Sequence, residues 1–220
     1  MIAEHTQTAT EAPIVLQCVD LCKCYNGVVQ ASDHINFTLR CGEVHAFLGE
    51  NGAGKSTLMK MLYGIEQPDE GQMFLSGEPV VLKSPADAIA HGIGMVHQEL
   101  MLIPYMTVAE NIFLGHEDQF VHMGIKNTNA MNKKATELLK KYGFERIKAA
   151  DIIDEYNFED RKLIEIVKAT YFNPKIVVID ETTTALSQEG REELYKHMER
   201  IRKSGNTVIC LLYTSDAADD

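Results

Sequence analysis

The chain has 220 residues, 45% of them hydrophobic and 24% charged, enough for one compact α/β domain with a full core and too apolar for a disordered segment. Its 21 Lys and Arg against 32 Asp and Glu leave a net charge of −11, which argues against the broad basic footprint of a nucleic-acid binder and confines any anion site to a local feature. No apolar run reaches the roughly 18 to 20 residues that span a bilayer, and Met1-Ile2-Ala3-Glu4-His5 lacks a basic-then-apolar signal pattern, so a cytosolic chain is expected.

Residues 1 to 12 are polar, Thr-rich and aperiodic, and are expected to form a loose N-terminus ahead of a domain running from Pro13 to Ile209. Alternation predicts strands over Ile14 to Leu21 and Ile35 to Leu39, and the apolar run Val44 to Leu48 predicts a third that enters a glycine cluster, with a helix over Leu58 to Leu62 behind it. Met73 to Leu75 and Val80 to Leu82, split by Ser76-Gly77-Glu78-Pro79, predict a small antiparallel hairpin. Residues 85 to 91 are expected to be helical. From Thr107 to Phe172 helix formers and isolated glycines dominate, which predicts a helical subdomain over about 100 to 172. Ile176 to Ile179 suits a central parallel strand covered on both faces. Ser187 to Lys203 places Leu194, Met198 and Ile201 at helical spacing, and Thr207 to Ile209 begins another buried strand.

Five cysteines, an odd number at positions 18, 22, 24, 41 and 210, form no disulfide framework. Cys18, Cys22, Cys24 and Cys41 could close a zinc site, but they lack the paired C-x2-C spacing of zinc ribbons, and reduced thiols are expected. The last eleven residues, Cys210 to Asp220, read as the translation of a transposase adapter used in sequencing-library preparation, so the natural sequence is expected to reach only to Ile209 here. A genuine acidic tail is the other reading of that segment.

Gly49-Glu50-Asn51-Gly52-Ala53-Gly54-Lys55-Ser56-Thr57 satisfies G-x4-G-K-[ST] between a predicted strand and a predicted helix. Such glycines let consecutive backbone N–H groups turn inward around phosphate oxygens, with the positive end of the helix behind them. Lys55 is expected to reach the β- and γ-phosphates, and the Ser56 hydroxyl is a hard ligand suited to Mg²⁺. Asp180, at the end of the apolar strand, is placed to hold the metal through water. Glu181 follows it and could orient or deprotonate an attacking water. An exposed pair of acids at a strand end is the plain alternative.

Gly49 to Thr57, Met95-Val96-His97-Gln98-Glu99-Leu100 and Val108-Ala109-Glu110-Asn111-Ile112-Phe113-Leu114-Gly115, in this order, resemble an ATP-binding-cassette ATPase over roughly residues 14 to 209. More narrowly, they resemble the N-terminal cassette of the duplicated ATPase subunits of bacterial simple-sugar importers, with nucleoside-importer ATPases as near neighbours. The resemblance implies an α/β fold: a P-loop NTPase (RecA-like) core with an antiparallel β subdomain and a helical subdomain. It also implies Mg²⁺-ATP hydrolysis that drives sugar uptake. The implied partners are membrane permease subunits, an extracytoplasmic sugar-binding protein and a second nucleotide-binding domain, with no nucleic acid, and the implied location is the cytoplasmic face of the membrane. Tyr25 falls where the family stacks an aromatic on adenine. Gln98 fills the position that links the γ-phosphate and Mg²⁺ to the helical subdomain, and Ala185-Leu186-Ser187 that of the subunit-contact loop. His97 and Glu99 read as structural.

The chain departs from that family at three places. The signature segment, usually close to LSGGQ, is here Tyr156-Asn157-Phe158-Glu159-Asp160, with Glu159 at a glycine position. Because the family sets this segment against the ATP of the other cassette, Glu159 is expected either to oppose that nucleotide or, with Asp160, to cap a helix beginning near Arg161. Thr182 stands where the family has proline, and Tyr213 near its switch histidine. A soluble cassette acting on ribosomes or DNA, or an unrelated P-loop kinase or GTPase, are the other classes. The first is opposed by the acidic charge, the second by the segments around Gln98 and Val108 to Gly115.

Overall fold

The computed structural model describes residues 12–49, 52–180 and 187–212. In chain order its strands and helices are β1 Ile14–Tyr25, β2 Val29–Arg40, β3 Val44–Leu48, α1 Lys55–Leu62, β4 Glu70–Leu75, β5 Glu78–Val80, α2 Pro85–Ala90, β6 Ile93–Val96, α3 Val108–Ile112, β7 Val121–His122, β8 Ile125–Lys126, α4 Thr128–Lys141, α5 Phe158–Thr170, β9 Ile176–Ile179, α6 Gln188–Lys203 and β10 Thr207–Leu212. Most of the expected strands and helices are present, and β3 and β9 coincide with the predicted runs, but the second hairpin strand is Glu78–Val80 and not Val80 to Leu82, because Ser76 and Gly77 alone make the turn and Leu75 pairs with Glu78. β1 and β2 extend further than predicted because Asn26 and Gly27 turn the chain tightly enough for Tyr25 to pair with Val29. The two-residue pair β7 and β8 escaped prediction, since four exposed residues carry no burial pattern.

The strands form an antiparallel sheet ordered β2-β1-β4-β5 and a parallel sheet ordered β3-β10-β9-β6. The parallel sheet lies between two cores, and alternation along its strands shows why β9 is wholly apolar. Val177 and Ile179 join Leu163, Ile166, Leu194 and Met198 on the side of the helices. Ile176 and Val178 join Leu58, Leu62, Leu16 and Met73 on the side of α1 and the antiparallel sheet. Each such side chain gains about 1.5–3 kcal/mol from burial, so a polar residue would be costly on either face.

The ends of the parallel strands align. Leu212 pairs with Leu48, Cys210 with Ile179, and Ile179 with Val96. Their carboxyl ends therefore lie along one edge, the usual place for ligands in open parallel sheets. The loop after β3, Asp180 after β9 and Gln98 after β6 all leave the sheet from that edge.

Candidate nucleotide-binding site

α1 starts directly from the glycine loop. Gly54 is its N-cap, at φ 81° and ψ 2° in the left-handed region, and Gly52 has φ +83°. A Cβ on Gly54 would lie 1.9 Å from the Ala31 carbonyl oxygen, so only glycine lets the loop pass under β2. That close approach brings the β1–β2 hairpin, with Tyr25 near its tip, against the loop.

α2 to α6 each have a Ser, Thr or Asn side chain capping the N-terminus, whereas α1 has no side-chain cap and no acid in its first turn. Its leading N–H groups and partial positive charge are thus left for an external anion. Lys55, at the first helical position, curls over the loop and donates from Nζ to the Gly49 carbonyl at 2.6 Å. Ser56 and Thr57 follow on the first turn, both half-buried, while Ala53 is exposed. A loop turned by left-handed glycines, an uncapped helix start, an ammonium and a hydroxyl suit a Mg²⁺-triphosphate group.

Asp180 is half-buried, and its N–H donates to the Val96 carbonyl at 2.9 Å, which fastens the end of β9 to the end of β6. Burial pushes the Cys210 thiol on neighbouring β10 up to about 12, with the charge of Asp180 adding to the effect. Strands in a sheet lie about 4.8 Å apart, so with β10 between them Asp180 and the glycine loop leave the edge about 10 Å apart. Gln98 is exposed, two residues beyond β6. His97 is half-buried edge-on to Tyr63, their rings 5.6 Å apart, and desolvation lowers its pKa, which agrees with a structural role. Tyr25 is half-buried with the Lys23 ammonium 5.8 Å from its ring centroid. Glu50, Asn51, Glu181, Thr182, Ala185, Leu186 and Tyr213 lie outside the described residues.

Cys18, Cys22, Cys24 and Cys41 do not converge on a metal site. Cys22 shares a ligand-sized cluster with Asp33 and His34 instead, their donor atoms within 4.8 Å of one another. All five cysteines are free, and burial pushes the Cys18 thiol up to about 12, so it stays protonated.

The capping expectation for Glu159 needs correction, although Glu159 and Asp160 do both stand in the first turn of α5. The helix after the signature segment begins at Phe158, before Arg161, and its cap is Asn157, whose side chain accepts from the Asp160 N–H at 2.8 Å. Asp160 is paired with Arg146, which also reaches Glu193 on α6 at 3.0 Å. The Glu159 carboxylate turns to the start of α6, where it accepts from the Ser187 N–H at 3.0 Å. Hydrogen bonds from the Ser187 hydroxyl and N–H hold its pKa below the usual carboxylate range. A backbone donor at a neighbouring helix start was invisible to sequence spacing. Lys162 and Glu165 on α5, buried at 2% and 4% exposure, were also missed. Their only sequence signal was an i, i+3 pair of opposite charges within an apolar stretch.

The fold and the glycine loop define a P-loop nucleotide-binding domain. Residues 32–184 match the ABC transporter family, and the chain belongs to it. It is 39% identical over 200 residues to a ribose import ATP-binding protein of Rhodopirellula baltica, covering 91% of this chain and 39% of that protein. An ATP-binding protein of Burkholderia lata named for ribose/galactose/methyl galactoside import is 38% identical over 205 residues, or 93% of this chain and 38% of that one. The chain thus spans about two fifths of the length of these curated relatives. CbiO1 of Clostridium perfringens, part of an ABC transporter complex, superposes with a TM-score of 0.78 at 27% identity over 94% of this chain and 81% of that one. The ADP conformation of another ABC transporter cassette superposes with a TM-score of 0.80 at 23% identity, covering 91% of this chain and 81% of that chain.

Proposed function

We propose that the chain is the ATP-hydrolysing cassette of an importer for a simple sugar. The uncapped, acid-free start of α1 beneath the Gly52–Gly54 loop carries this reading, and the names of the relatives supply the cargo class. In it, the loop N–H groups and Lys55 bind the phosphates, and Tyr25 stacks on the adenine. Ser56, Asp180 and Gln98 would hold Mg²⁺, which supplies charge neutralisation at the phosphates. Glu181 accepts a proton from the attacking water, and Gln98 helps to align it.

No helix among the described residues is long and apolar enough to cross a membrane. The proposed cassette works at the cytoplasmic face through permease subunits, with an extracytoplasmic binding protein delivering the sugar and a second nucleotide-binding domain completing the enzyme. A cleft of about 230 Å³, lined by Tyr63, Met95, Ile112 and Phe172 together with the charged Glu165 and Lys168, lies beside the Gln98 loop, where a permease segment would sense its state.

The test uses the full-length protein. Lys55→Ala should lose most ATP affinity in calorimetry, because the cation at the β- and γ-phosphates disappears. Glu181→Gln should bind ATP like the parent while turnover falls about 10²- to 10⁴-fold, the reach of general-base catalysis. Equal loss of binding in both variants would refute the separate roles.

A further inference from the structure

We propose that the buried ion pair Lys162–Glu165 is the positioning element for Gln98, fastening both ends of the loop that carries this glutamine to α5. The inference rests on the ATPase reading and adds two residues to it. Lys162 Nζ lies 2.8 Å from Glu165 Oε2, one turn apart on α5. The remaining hydrogen bonds of both groups leave the helix. Lys162 also donates to the His97 carbonyl, directly before Gln98, and the other Glu165 oxygen accepts from the Met101 N–H, three residues after it. Lys168, a turn and a half from Lys162, sends its ammonium to the Met101 carbonyl at 3.5 Å.

Chemistry favours a positioning role over a packing one. Removing two charges from water is costly, and well-packed apolar side chains of similar size usually serve a core as well or better. The bonds that satisfy the buried charges run 64 and 65 residues back along the chain to two backbone groups, so the pair ties those groups to α5 as apolar side chains could not. Those two groups bracket the short stretch 98–100, in which Gln98 and Glu99 are exposed, and its root is fixed on the other side by the Asp180 N–H on the Val96 carbonyl. The pair thus sets where the Gln98 side chain starts, and a bond length of slack there misplaces it against its target.

The decisive variant is the doubly apolar Lys162→Met/Glu165→Leu in the full-length protein, which leaves no unpaired buried charge. The expected result is a cooperative melt, a parent-like Kd for ATP, kcat lowered about 10- to 100-fold, the usual effect of losing a supporting hydrogen-bond shell, and faster amide exchange at Met101. Since the pair acts through Gln98, adding the double change to Gln98→Ala should lower kcat no further than Gln98→Ala alone. An unchanged kcat, or losses that multiply in the combined variant, overturns the proposal. Should the double variant not fold, Glu165→Gln takes its place, and parent-like Met101 exchange together with parent-like kcat overturns the proposal. Failure of the ATPase reading shows elsewhere: a parent protein without ATP affinity sinks that reading whatever the Met101 amide does.

Discussion

His197 carries much of the acid sensitivity expected of this chain. It is 2% exposed on α6, its ring tilted against that of Phe144 with centroids 4.1 Å apart, and its Nδ1 has no hydrogen-bond partner. Desolvation, with the positive charge of Arg200 behind it, pushes the ring down from 6.5 to about 4. Above about pH 6.5 the ring is neutral in both folded and unfolded chains, so it adds no pH dependence. Between 6.5 and about 4 only the unfolded chain takes up the proton, and stability falls as pH drops, by about 3 kcal/mol over that window. Urea unfolding at pH 7.5 and pH 5 should therefore show a smaller loss for His197→Leu than for the parent, and equal losses would contradict the assignment. At this scale the left-handed turns at Gly52 and Gly54 ahead of α1 were legible because the motif's fixed glycine spacing demands them. Lys162, Glu165 and Glu159 were not, because each spends its charge on a backbone group that only folding brings near.

At the scale of elements, α5 has Asn157 as its cap and connects the signature segment to the loop of Gln98. Asn157→Ala should cost about 1 kcal/mol through the N–H groups of the first turn left unbonded, measurable as a lower urea midpoint at unchanged slope. A loss within error would show that Glu159 and Asp160 stabilise that helix end without Asn157. Strands were read well where both faces are buried, as at β9, because a continuous β-branched run has few other uses. The short helix α3 is anchored instead by a capping box, in which Thr107 and Glu110 bond each other's backbone N–H, a pattern also present in the sequence. What escaped were the ends of β1 and β2 and the whole of β7 and β8, where turns and pairing partners, not apolar periodicity, decide the conformation.

For the whole molecule, the weak boundary is β3. Among the described residues it pairs with β10 alone, and along one face Val44 is 40% and Leu48 56% exposed. An apolar edge strand with free N–H and C=O groups is a template for other chains. The 220-residue chain should therefore self-associate as its concentration rises in sedimentation experiments, and Val44→Lys should reduce the effect. A monomer at every concentration tested, melting cooperatively, would count against this. β10 has a second consequence. It stands between β3 and β9, which do not pair with each other, so the strand behind the glycine loop and the strand behind Asp180 meet only through it. During vectorial synthesis the ribosome releases the whole Gly49–Thr57 motif long before the strand that begins at Thr207 emerges. Until then a nascent chain carries every letter of the motif with no sheet edge to hold Asp180 beside it, and cellular nucleotide can stabilise the domain only as a late event in its birth.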